Sequence, residues 1–320
     1  LRCGYCLQDG QAKTAVRRKG VASEFVNKVA PILKKKSQDN LHLWGGEPLL
    51  YWPQIRDVVL GLRAEGISFG MTRMSTNGTL LTPTIVDELN ALGIYVVVSP
   101  HLTQQAPNWD LVSKLRNSSL HFMFSHQELE AWSWLNLVQE LEQKYSRPFF
   151  PDGAWIKATE TTPKEYWFTE SDLEKHRSHL LELADLYVQG DRHVVSLLGG
   201  AFLAWNKLKD KTGPVQSLCH ADDHIAVDLD GNRYGCHHTV DTSWRTGTLG
   251  DEGSSIEEQS VIRFTRRFIS TDACQSCELK HWCRGHCHRS QTHDIDCQMR
   301  FIQDEVYRYI QKKQFALEML

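Results

Sequence analysis

Cys3 and Cys6 stand at the head of the chain with two residues between them. The other seven of the nine cysteines are Cys219, Cys236, Cys274, Cys277, Cys283, Cys287 and Cys297. More than two hundred residues between the two groups carry none. Disulfide scaffolds are short and evenly laced with cysteine, whereas this 320-residue chain gathers its cysteines into two groups of Cys-x-x-Cys type. That arrangement fits metal ligation in a reducing compartment. Alone, Cys3-x-x-Cys6 suits a zinc site or a redox pair equally well. Histidine is frequent around the second group, at His220, His224, His237, His238, His281, His286, His288 and His293. Most of these suit hydrogen bonds around a metal site better than ligation itself.

Two further stretches carry polar groups at turns. Leu41-His-Leu-Trp-Gly-Gly-Glu-Pro48 ends an apolar run in a glycine pair and a carboxylate. Gly45 and Gly46 let backbone approach a ligand, and Glu47 supplies a charge to match a cation. The plain alternative is a turn between strand and helix with a solvated glutamate. Ser75-Thr-Asn-Gly78 and Ser99 each follow another apolar run, and each by itself is ordinary turn chemistry.

The elements that must position these residues alternate. Helical spacing runs over Ala22–Lys36, Trp52–Glu65, Pro83–Leu92 and Leu129–Tyr145, the third opening with Thr82 as N-cap and Pro83 in the first turn. Short apolar runs lie between them at Leu41–Trp44, Gly70–Met74, Tyr95–Val98 and Leu120–Phe124, with a weaker one at Ala154–Ala158. Strand alternating with helix predicts an α/β fold built on a parallel sheet, as a full or partial barrel. In such folds chemistry gathers on the loops after the strands, where the residues above fall. Glu170–Tyr187 and Leu197–Leu208 read as two more helices. Beyond Gly213-Pro214 periodicity fades into a Cys-, His-, Asp- and Gly-rich stretch, and Gln298–Lys313 reads as a closing helix.

Leu-Arg-Cys-Gly-Tyr-Cys resembles the end of the radical S-adenosylmethionine (radical SAM) signature, Cys-x3-Cys-x2-Cys, whose first cysteine would lie two residues before Leu1. Gly45-Gly-Glu-Pro48 is similar to the family's cofactor turn, and Ser75-Thr-Asn-Gly78 and Ser99 fall where relatives place polar contacts. The resemblance implies a 4Fe–4S cluster on Cys3 and Cys6 with one iron left for S-adenosylmethionine. It implies cofactor contacts at Tyr5, Gly45, Gly46, Glu47, Pro48, Ser75, Asn77 and Ser99, with the methionyl ammonium at Glu47. One electron from such a cluster splits the sulfonium to a 5′-deoxyadenosyl radical, hard chemistry that the cofactors carry and the protein positions.

Cys219-x11-Gly231-x4-Cys236, Cys274-x2-Cys277-x5-Cys283-x3-Cys287 and Cys297 resemble the SPASM extension of that family at every internal spacing. A zinc ribbon needs one four-ligand set and leaves Gly231 and the outlying cysteines without a reason. The resemblance implies two auxiliary 4Fe–4S clusters, one on Cys274, Cys277, Cys283 and Cys297, the other on Cys219, Cys236 and Cys287. An eighth ligand would be water, substrate, or a residue such as His220, Asp222 or His237. The domains expected are a radical SAM partial barrel over residues 1–208, a small SPASM cluster domain over 209–298, and a C-terminal helix over 299–320.

SPASM enzymes act mainly on peptides and proteins, so the resemblance implies a peptide or protein substrate, a flavodoxin- or ferredoxin-type electron donor, and an oxidative modification such as a crosslink in a ribosomally made peptide. The sulfatase-maturing branch places an Asp base after the equivalent of Cys236; here His237 stands there, as the candidate catalytic base. Its Ser-x-Asp-Gly is replaced by Ser99-Pro-His-Leu102. Both departures favour peptide crosslinking over formylglycine formation. A dehydrogenase of a small alcohol or sugar, and a non-catalytic cluster-binding module, are the other readings. Trp132, Trp134, Trp155 and Trp167 suit core packing better than a peptide groove. Lys and Arg total 36 against 39 Asp and Glu, a net charge of −3 that gives no reason to expect nucleic acid. No apolar run reaches the ~18 residues of a membrane span. No signal peptide is visible in a chain that opens on Leu1 rather than Met, and a cytoplasmic enzyme without a membrane partner is expected.

Overall fold

The computed structural model describes residues 21–34, 38–100, 105–126, 131–156, 158, 162–212, 226–234, 245–249, 272–283 and 290–319. Helix α1 (Ala22–Leu33) leads into strand β1 (Gln38–Leu43), and a 3-10 turn at Pro48–Tyr51 opens α2 (Trp52–Ala64). Strand β2 (Phe69–Thr76), α3 (Pro83–Ala91), β3 (Tyr95–Val98), the short α4 (Trp109–Val112) and β4 (Ser118–Phe124) continue the alternation. Then come α5 (Ala131–Tyr145), β5 (Pro151–Trp155), a 3-10 turn at Lys164–Tyr166, α6 (Glu170–Val188) and α7 (Arg192–Leu208). Strands β6 (Ala226–Val227), β7 (Asn232–Tyr234) and β8 (Arg245–Thr248) are followed by α8 (Asp272–Ser276), α9 (Lys280–Cys283) and α10 (His293–Glu318). Among the described residues no helix is long and apolar enough to cross a membrane.

The predicted α/β sheet is present. Five strands lie in the order β1-β2-β3-β4-β5, with β1 to β4 paired in parallel. Sequential strands joined through helices give this order, because a parallel neighbour requires a crossover. The chain falls into two compact units, each made of two stretches: Leu1–His121 with Ala221–Phe264, and Phe122–His220 with Thr265–Leu320.

In the first unit Val26, Val29, Ala30, Val58, Leu62, Ile67 and Leu249 form a buried cluster against which Leu41 packs. Burying an apolar side chain of this size stabilises by roughly 1.5–3 kcal/mol. Thr82 caps α3 as expected, its hydroxyl accepting from the Ile85 N–H at 3.2 Å. The stretch β6–β8, where the sequence shows little periodicity, forms a three-stranded antiparallel sheet. Its first turn hangs on the Asp228 carboxylate, which accepts from Asp230 N, Asn232 N, Asn232 Nδ2 and the Tyr234 hydroxyl. Gly231 sits in that turn at φ +85°, which accounts for glycine in the cysteine pattern.

In the second unit Phe168, Leu173 and Met299 pack with Trp155, Ile295 and Ile302. Several elements begin or end away from their expected bounds. Helix α7 starts at Arg192 rather than Leu197, because the Asp191 carboxylate accepts from the His193 and Val194 N–H groups. Helix α10 starts at His293 rather than Gln298, with Asp294 and Asp296 in its first turn, and so contains Cys297. Strand β5 lies three residues before the expected Ala154–Ala158. Helix α4 was not expected; the Asn108 side chain caps it by accepting from Leu111 N. Of the four tryptophans considered above, Trp134 is fully buried, Trp155 packs edge-on against Phe168 and His176, and Trp167 donates to the Thr162 carbonyl. The Trp132 side chain lies outside the described residues.

Candidate functional site

The first group of candidate residues meets at Glu47. Gly45 and Gly46 turn the chain after β1 at φ +117° and +52°. At Gly45 only glycine adopts that backbone without strain, and a Cβ at Gly46 would meet nothing within 4 Å, so the turn faces open space on that side. Pro48 is buried and opens the 3-10 turn. Glu47 Oε1 accepts from the Leu49 N–H at 3.1 Å and from the Thr76 hydroxyl at 2.6 Å. Its Oε2 accepts from the Asn77 N–H at 2.9 Å. The carboxylate therefore ties the loop after β1 to the turn after β2.

That turn is itself built from short-range bonds. Thr76 Oγ1 accepts from Gly78 N at 3.0 Å, and Asn77 Oδ1 accepts from the Thr79 N–H and hydroxyl at 2.9 and 2.7 Å. The Ser99 N–H donates to the Thr76 carbonyl at 2.8 Å, bringing the residue after β3 to the same place. Thr76, at 3% exposure, is the residue that motif reasoning passed over, although it sits inside the quoted Ser-Thr-Asn-Gly run. Ser75 differs from expectation. It lies within β2, since pairing with β3 carries the strand through Thr76, and its Oγ bonds His42 Nε2 at 3.0 Å.

A carboxylate offers about four acceptor sites, and three are taken here, leaving capacity on Oε2 for a ligand cation. Together with the open glycine turn, this fits the ammonium of an amino-acid group. Tyr5, Cys3 and Cys6 lie outside the described residues, as do Cys219, Cys236, Cys287 and His237.

The second group lies in the second unit. Cys274 is in α8, Cys277 follows it, Cys283 closes α9, and Cys297 is in α10; none of the four forms a disulfide. Burial pushes the Cys297 thiol up to about 11, and the negative charge of Cys283, Cys274, Cys277 and Asp296 raises it further within that value. The four thiols thus share one neighbourhood. Among the described residues no three or more Cys, His, Asp or Glu side chains converge closely enough to hold a single metal ion. Metal binding at Cys297 would have to displace the proton that burial holds on its thiol.

Residues 1–123 match the model of the Radical SAM superfamily. No curated protein matches the chain. Among solved structures, native anSMEcpe with bound AdoMet is 17% identical, with a TM-score of 0.70, over 94% of this chain and 91% of that one. Native anSMEcpe with bound AdoMet and Cp18Cys peptide is 17% identical, with a TM-score of 0.73, over 99% of this chain and 96% of that one. The likeness at this identity is one of fold. The superfamily uses a 4Fe–4S cluster and S-adenosylmethionine for redox chemistry. Residues 1–123 are therefore similar to the Radical SAM superfamily, on a chain that shares its α/β fold with anSMEcpe.

Proposed function

We propose that the chain is a radical SAM enzyme of the SPASM type that modifies a peptide or protein oxidatively, for instance by a crosslink. The observation that carries the auxiliary-cluster part is the four-thiol neighbourhood of Cys274, Cys277, Cys283 and Cys297. Four cysteine thiolates are the donor set that a 4Fe–4S cluster takes. A fold shared over nearly the whole chain with a protein holding AdoMet and a peptide supports the substrate class.

Cys3, Cys6 and a preceding cysteine would hold the first cluster, which with S-adenosylmethionine supplies a 5′-deoxyadenosyl radical for hydrogen abstraction. Cys274, Cys277, Cys283 and Cys297 would hold one auxiliary cluster and Cys219, Cys236 and Cys287 another, suited to take up the electron that an oxidation releases. The chain's own part is positional. Glu47 receives the cofactor's ammonium at Oε2, and Gly45 and Gly46 keep side chains out of its way. Thr76 and Asn77 fix the carboxylate. His237 would accept the proton that leaves the substrate.

Anaerobic iron and sulfide analysis of the full-length protein should give about twelve irons per chain, four for each of three clusters. Stoichiometric zinc with iron for one cluster only would sink the SPASM assignment. Removing Cys219 and Cys236 together should leave 5′-deoxyadenosine production and abolish the modified peptide. A folded double variant that still makes full product would defeat the electron-acceptor role.

A further inference from the structure

We infer that His126, held by Asp172 just past the end of β4, is a general base that takes the proton from a cysteine thiol of the peptide substrate. The inference rests on the peptide-modifying reading and names, within the second unit, an acceptor for the proton that reading gives to His237. His126 lies two residues beyond the last residue of β4, a strand paired in parallel with β3. Chemistry gathers on the loops after such strands. The Ile156 N–H donates to the Phe124 carbonyl at 2.8 Å, which sets the end of β5 beside the end of β4.

His126 Nδ1 lies 2.8 Å from Asp172 Oδ2. The same oxygen accepts from the Thr169 N–H and hydroxyl, each at 2.7 Å. Burial works against ionisation of Asp172, and the bonds from Thr169 and His126 outweigh it, so the group is a carboxylate at neutral pH. A carboxylate only accepts, so the proton of a neutral His126 ring sits on Nδ1 and the lone pair on Nε2. The Asp172 side chain is 7% exposed and that of His126 is 45% exposed, which puts the carboxylate behind the ring and leaves the ring open to solvent. Among the described residues no other hydrogen bond or ion pair reaches His126. The capping box of α6 is complete with Thr169 and Asp172, so the helix end does not need the imidazole. A base oriented by a third group has this arrangement.

The surroundings suit sulfur. The half-buried rings of Phe124 and Trp155 lie 5.1 Å apart, and Trp155 packs against His176, one turn after Asp172 on α6. Aromatic rings make favourable contacts with sulfur. His176 does not compete as a charge, because burial, and to a lesser extent His179, lowers its pKa to about 4. An imidazole ordinarily ionises near about 6.5 and a thiol near about 8.5, whereas phenols, ammonium groups and hydroxyls lie at about 10 or above, so the thiol is the best match. The transfer breaks the S–H bond and forms an Nε2–H bond, leaving a thiolate and an imidazolium whose charge Asp172 offsets. No electron is transferred in it.

Full-length, cluster-loaded protein without S-adenosylmethionine or reductant tests the base apart from the radical. The probe is N-acetyl-cysteine amide, alkylated anaerobically with iodoacetamide at pH 6.5, where about one thiol in a hundred is ionised in solution. Wild-type protein should speed this alkylation saturably by about tenfold or more, read by mass spectrometry of the product. His126→Ala should lose the acceleration with an unchanged circular dichroism spectrum, and added imidazole should restore it, which no packing role predicts. Should His126→Ala unfold, His126→Gln, which keeps a donor for Asp172, gives the same reading. No acceleration by wild type would overturn the inference. So would acceleration that survives in His126→Ala, which would return the role to His237, or a loss that imidazole does not restore. Reduced wild-type protein that leaves S-adenosylmethionine uncleaved would instead defeat the radical SAM reading.

Discussion

Glu47 combines a structural bond with a binding one, and two substitutions separate them. Glu47→Gln keeps an oxygen for Thr76 and Leu49 but sets an amide against the Asn77 N–H and removes the charge. A charge-assisted bond to the cofactor's ammonium is worth ~1.5–3 kcal/mol, so S-adenosylmethionine binding should weaken about ten- to a hundredfold in calorimetry. Thr76→Val deletes one hydroxyl that serves both Glu47 and the Gly78 N–H, and should lower stability by about 1–3 kcal/mol with a smaller effect on affinity. Equal affinity in wild type and Glu47→Gln would assign the carboxylate to the fold alone. His176 is a second residue whose environment decides its behaviour. It is 2% exposed, its Nε2 has no partner, and the Trp155 ring lies 4.1 Å away. Burial, and to a lesser extent His179, lowers its pKa to about 4. The unfolded chain takes up this proton near pH 6.5, so stability is intact above that pH and declines as pH falls towards 4, by about 3 kcal/mol in total. In His176→Phe, urea unfolding between pH 7 and 4 should lack that part of the slope.

At the scale of elements, the start of α6 shows how a cap recruits residues distant in sequence. Thr169 and Asp172 form a capping box, and the Asp172 carboxylate also accepts from the His126 ring at 2.8 Å. Burial pushes the Asp172 carboxyl up, but the hydrogen bonds from Thr169 and His126 outweigh it and hold the group below the usual range. The stabilisation is present above the ordinary carboxylate pKa of about 4 and is lost as pH falls through the lower folded value. Asp172→Asn should therefore cost about 1–3 kcal/mol at pH 7, and its gap from wild type should narrow in acid below about pH 4. A constant gap across that range would remove the charge from the explanation. The helices and strands of the sheet region were legible because their apolar periods and caps are local. The Thr82-Pro83 start is written in two adjacent residues, and Tyr95–Val98 ends where expected. Ser75 was misread as a loop residue because what extends β2 is its pairing with β3, which is not written in β2 itself.

At the scale of the whole molecule, cysteines spread over α8, α9 and α10 belong to one neighbourhood in the second unit. Metal binding by such a set is also folding free energy. Cys297→Ala should lower the iron content by about four per chain and reduce the Tm of the iron-loaded protein, while leaving the Tm of metal-free protein nearly unchanged. An equal loss of Tm in both states would make Cys297 a packing residue.

The sequence by itself determined the kinds of chemistry available, because ligand type and spacing are properties of short stretches. Gly45-Gly-Glu-Pro48, the Ser75-Thr-Asn-Gly78 turn and the Cys-x-x-Cys pairs can be read without a fold, as can the alternation that requires a parallel sheet. The tertiary structure decided what each group meets. Glu47 and Thr76 are 29 residues apart and are joined only because β1 and β2 are neighbours in register. Arg73 is unremarkable in a list of residues, and only the packing leaves its Nε buried without a hydrogen-bond partner. Cys297 joins Cys274, Cys277 and Cys283 because α10 begins five residues earlier than its apolar pattern suggests, on the strength of acidic residues in its first turn. Burial, register and long-range partners arise from packing, and packing depends on the whole chain at once.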